Sequence, residues 1–145
     1  MITVLQKERL LMLRDLILIN ADHYRHDTFK SADGSSMCAL GLAVEHKELF
    51  PGLGLNFSVT ESEGTFQRLG YNVVNHFGDF CPREAELYFG DGSWKIFGLY
   101  GYKMDSRYPT AAEVAAQINE FIEEQQCTAR QHVECSPAMA LDVKN

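Results

Sequence analysis

The chain has 145 residues and a formal charge of -7, from 13 basic and 20 acidic side chains, and 46% of it is hydrophobic. That length suits one domain, and 9 Phe and 6 Tyr are too apolar a content for a disordered chain, while 11 Gly and 4 Pro exclude collagen-like and low-complexity classes. An acidic surface repels phosphate backbones, so no nucleic-acid partner is expected, and the longest apolar runs, Leu10 to Leu13 and Leu16 to Ile19, fall far short of the roughly 20 residues of a membrane span.

Thr3-Val4-Leu5-Gln6 spells a capping box, in which a hydroxyl and an amide satisfy free N–H groups at a helix start. Leu5, Leu13, Leu16, Ile17 and Ile19 then predict a buried first helix to about Asn20. Asp22 to Asp33 is polar, with Phe29 as its one anchor, and Asp33-Gly34-Ser35-Ser36 reads as a turn and helix start. A second helix is expected from Met37 to Leu49, ended by Pro51-Gly52, with Gly41 and Ala43 small enough for close approach by another segment.

The alternation of Leu53, Leu55, Phe57 and Val59 predicts a short strand. Thr60-Glu61-Ser62-Glu63 repeats the capping-box spelling. It predicts a third helix starting between Glu61 and Thr65 and running to Phe77, with Phe66, Leu69, Val73, Val74 and Phe77 as its stripe. Cys81-Pro82-Arg83-Glu84 opens a fourth helix that reaches Gly90, since Pro is tolerated at a first helical position. The stretch Trp94 to Tyr102 reads as a strand or a packed loop. Thr110-Ala111-Ala112-Glu113 caps a last helix with Val114, Ala115, Ile118, Phe121 and Ile122 at steps of three and four. The expected fold is a mainly α, single compact domain of about five helices over residues 1–126, with at most a small β-hairpin or strand. Residues 127–145 are expected to form an irregular or flexible tail.

Four cysteines, Cys38, Cys81, Cys127 and Cys135, form no C-x-x-C pair. Met1 to Arg9 lacks a signal-peptide layout. A cytoplasmic, reduced protein is expected.

The segments Gly34-Ser35, Cys38-Ala39-Leu40-Gly41-Leu42-Ala43, Ala85 to Gly90 and Thr110 to Ile118 resemble a family of small, uncharacterised bacterial and phage-borne proteins. Those carry a Cys-Gly-Thr-x-x-Cys-Ala-Leu-Gly-x-Ala segment and a C-terminal Thr-Pro-x-x-Val-Ala-x-x-Ile helix. The resemblance spans roughly residues 3 to 122. It implies a mostly helical domain and a bacterial or phage source, and it brings no catalytic residue with it. Asp33 stands where the family pattern has its first cysteine, so a two-cysteine site is not available there.

Cys38, at an expected helix start, is a candidate nucleophile because the helix dipole favours a thiolate. His76 could serve as its base, oriented by Asp79 or Asp91. Against this, Cys38 also reads as a small buried residue beside Gly41. His23 and His26 could share a helical face, but no further ligand completes a metal set, nor does one complete Cys127, His132 and Cys135. Gly52-Leu53-Gly54 and Gly90-Asp91-Gly92 read as turns, and Glu84, Glu86 and Asp91 as dipole-favoured acids. Neither a metal nor another cofactor is expected. Trp94, Phe97, Tyr100 and Tyr102, with Tyr108, read either as rings closing a small core or as a binding surface. The expected function is therefore a non-enzymatic protein-interaction module, an inhibitor or modulator of a host protein, with a thiol-dependent enzyme using Cys38 and His76 as the alternative.

Overall fold

Thr3 caps the first helix as its spelling predicts: Gln6 N–H donates to Thr3 Oγ1 and Thr3 N–H to Gln6 Oε1, both at 3.0 Å. This starts α1 (Val4–Ile19) in a computed structural model that describes residues 1–61, 68–98, 102 and 108–134. Among these residues four more helices follow: α2 (Ala39–Glu45), α3 (Pro82–Phe89), α4 (Trp94–Phe97) and α5 (Ala111–Glu134). The one sheet among the described residues is an antiparallel hairpin of β1 (Asn56–Glu61) and β2 (Arg68–Val74). The mainly α fold with a small hairpin is as expected.

The core lies between α1, α2, α3 and α5, filled by Leu10, Leu13 and Ile17 of α1, Leu40 and Val44 of α2, Phe89 of α3, and Ile118 and Phe121 of α5. The last helix begins as predicted. Thr110 N–H donates to Glu113 Oε1 at 3.0 Å, and Glu113 N–H to Thr110 Oγ1 at 3.3 Å. Gly41 admits the close approach its size allows, because a Cβ there would lie 1.7 Å from the carbonyl oxygen of Phe29.

Four expectations are corrected. The helix expected up to Phe77 is instead β2, paired Phe57 to Val73 and Val59 to Tyr71. Tyr71, Val73 and Val74 suit a pleated strand, and Gly70 would have weakened a helix there by about 1 kcal/mol. Phe66, which belonged to the expected stripe, lies outside the described residues. The second helix is shorter than expected, with Cys38 as its N-cap and His46 as its C-cap. Trp94–Phe97 is a single helical turn, neither strand nor loop. Finally, α1 is not a buried helix: Leu5 and Ile19 point outward. In addition, α5 continues past Gln126 to Glu134, into the segment expected to be irregular, and residues 135–145 lie outside the described residues.

Candidate functional site

Two places carry the side chains the sequence singles out, and the fold adds a third. The first surrounds Cys38. It caps α2 and is buried, and it lines a cavity of about 110 Å³ with His26, Asp27, Thr28, Phe29, Trp94 and Phe97. Burial pushes the thiol up to about 11, although the backbone N–H groups of Gly41, Leu40 and Cys38 itself pull the other way. Desolvation therefore outweighs the helix start, and the sulfur is held as a thiol at neutral pH.

His76 does not line this cavity. It is exposed in the turn after β2, its ring 3.9 Å from that of Phe77. The imidazole that does reach the cavity is His26, and both its nitrogens are engaged. Nε2 is 2.7 Å from the carbonyl oxygen of Gly98, and Nδ1 is 2.8 Å from the hydroxyl of Tyr24. That carbonyl can only accept, so Nε2 bears the proton and Nδ1 accepts from Tyr24. Burial, the larger effect, lowers the His26 pKa from 6.5, partly offset by the Gly98 bond and the nearby Asp27 charge. His23 lies exposed in the preceding turn, and no group of three or more possible metal-holding side chains occurs among the described residues.

The second place is aromatic. Rings run from Phe29 to Phe80 (5.4 Å), to Trp94 (5.7 Å), to Phe97 (5.8 Å) and to Phe89 (5.3 Å). Of the residues expected to bind, Phe97 is buried and Trp94 half-buried in this ladder. Tyr102 is half-buried, donating to the carbonyl of Ile96 at 2.6 Å with its ring 5.1 Å from His26. Burial and then the charge of Glu113 push its hydroxyl well up. Tyr100, Cys135 and the side chains of Cys127 and His132 lie outside the described residues.

The third place was missed by sequence reasoning. One side of α1 packs inward through Leu10, Leu13, Leu16 and Ile17. The other side carries Val4, Leu5, Met12, Leu18 and Ile19, all exposed, with Leu11 half-buried between them. Val4 is 75% and Ile19 81% exposed. At 100° per residue these six side chains, with Glu8 and Asp15, cover a continuous face of the helix. The signal was present in the sequence: ten of the sixteen residues of α1 are apolar and they fall on opposite sides of the helix, more than one lying against one core requires.

No family model, curated protein or solved structure matches the chain. No described helix is long and apolar enough to cross a membrane.

Proposed function

We propose that the protein is a non-catalytic interaction module that binds another protein through the outer face of α1 and inhibits or modulates it. The observation that carries this reading is the exposed apolar face itself. Five exposed large apolar side chains, with half-buried Leu11, lie in two rows either side of Glu8 and Asp15 on one helix face, an apolar exposure of the kind that marks interaction sites. The state of the thiol supports it too, since a buried Cys38 pushed up to about 11 and an exposed His76 do not compose a nucleophile and base. The Cys38–Ala43 and Thr110–Ile118 segments suggest a bacterial or phage source, and action in the cytoplasm fits it.

The test is differential capture from a bacterial lysate by wild type, a Leu5→Ser/Ile19→Ser variant and a Phe77→Ser control. A protein retained by wild type and the control but lost from the α1 variant is expected. Identical capture by all three would refute the α1 reading.

A further inference from the structure

Resting on the reading that the outer face of α1 binds a protein, we infer that its occupant is an amphipathic helix of another protein, carrying basic side chains about two turns apart among apolar ones. The face is not uniformly apolar. Glu8 and Asp15 are exposed along its middle, flanked on one side by Val4, Leu11 and Leu18 and on the other by Leu5, Met12 and Ile19. Seven residues separate the two acids, about 10 Å along the axis. Glu8 makes no ion pair among the described residues. Among the described residues Asp15 is paired on one oxygen only: Nε and a terminal nitrogen of Arg14 both reach Oδ1, at 3.1 and 3.0 Å, which leaves Oδ2 for a partner. The other terminal nitrogen of Arg14 donates to Asn119 of α5 at 2.9 Å, which holds the guanidinium at the edge of the face.

Charge decides between the possible occupants. In a two-fold, antiparallel pairing of α1 with a second copy, each flank would meet its own counterpart: Val4 would lie by Leu18, Leu5 by Ile19, and Leu11 and Met12 each by its equivalent in the other chain. The same symmetry brings Glu8 against Asp15 at the centre, where two carboxylates would lose water while facing like charge. A bilayer rich in anionic lipid repels the same two acids, as well as a chain of net charge -7. A helix with Lys or Arg at two positions seven apart meets both carboxylates while its apolar residues cover the flanks. This is helix-on-helix recognition with charge setting register.

The experiment uses the full chain and two designed helical peptides, each with a leucine face interrupted by two charged residues seven apart, lysine in one and glutamate in its twin. Binding is read by fluorescence anisotropy. The lysine peptide should bind wild type roughly tenfold tighter than the glutamate twin, as two solvated ion pairs allow. The preference should reverse in Glu8→Lys/Asp15→Lys and vanish in Glu8→Gln/Asp15→Asn, whose uncharged side chains keep the helix if the reversal unfolds it. Equal binding of both peptides by wild type overturns the inference. So does a wild-type dimer that Leu5→Ser/Ile19→Ser makes monomeric, or a preference for phosphatidylserine vesicles over the lysine peptide. If the peptides fail to discriminate while the Leu5→Ser/Ile19→Ser variant still loses its captured protein, the basic helix is wrong and the interaction reading stands. If capture is unchanged in that variant, the interaction reading itself is wrong.

Discussion

The hydroxyl of Tyr24 donates to Nδ1 of His26 across 2.8 Å, a bond whose direction is set by the Gly98 carbonyl on the other ring nitrogen. The imidazole is thereby buried neutral, and it ties the loop before α2 to the chain leaving α4. Protonation would place a second donor against the Tyr24 hydroxyl and a charge away from water.

The first prediction is acid sensitivity from this group. Burial lowers the folded-state pKa of His26 below the unfolded value of 6.5. Below 6.5 the unfolded chain takes up the proton more readily. The contribution of His26 is therefore intact above that pH and is lost as pH falls through the folded value. Melting temperature should fall between pH 7.5 and 5, and the slope should flatten in His26→Gln. Asp33 acts in a separate window. The Ser35 hydroxyl, then the Ser31 hydroxyl and the Ser35 N–H, hold its carboxyl at about 2, so its contribution is lost only as pH drops below 3.8. A slope unchanged in His26→Gln would mean that another group sets the acid response.

The second prediction concerns Cys38. With its thiol pushed up to about 11 by burial, it should resist iodoacetamide in the native state at pH 7.5, while exposed Cys81 labels readily. Peptide mapping by mass spectrometry separates the two from Cys127 and Cys135. Cys38→Ala should cost on the order of 1 kcal/mol through a small cavity. Fast native labelling of Cys38, with function lost in an alanine variant of full stability, would instead favour a thiol enzyme.

The third prediction is at Gly41. The Phe29 carbonyl oxygen, 1.7 Å from the position of an added Cβ, is backbone and cannot rotate away. Gly41→Ala must therefore push α2 off the loop that carries Phe29, at a cost of about 1–3 kcal/mol. The midpoint of urea unfolding should fall with its slope unchanged. An unaltered midpoint would show that the loop yields freely.

What was legible in the sequence was local. The Thr3–Gln6 and Thr110–Glu113 boxes each bond within four residues, so their spelling alone predicts α1 and α5. Thr60-Glu61-Ser62-Glu63 has the same spelling, yet Thr60 pairs with Gly70 across a hairpin. There the non-local ladder, with Tyr71 N–H donating to the Lys30 carbonyl at 2.8 Å, outweighs helix propensity. Trp94 and Phe97 showed their apolar character but not their neighbours, since Phe29, Phe80 and Phe89 reach them only through the tertiary fold. The candidate site on α1 was hidden for a different reason. Periodicity locates the inward side of a helix when the other side is polar, and α1 offers apolar residues on both.

Ile17 and Ile19 make that ambiguity testable, and they carry the last prediction. They are the same residue type, two positions apart, but Ile17 is fully buried and Ile19 is 81% exposed. Replacing Ile17 with Ser removes packed methyl groups from the core and buries a hydroxyl, so it should cost about 3 kcal/mol or more. Ile19→Ser removes side-chain area that is already in water and should change stability by less than about 0.5 kcal/mol. Urea midpoints of the two variants measure the difference directly. If Ile19→Ser proved as costly as Ile17→Ser, the outer face of α1 would be packed within the chain and could not be a docking surface.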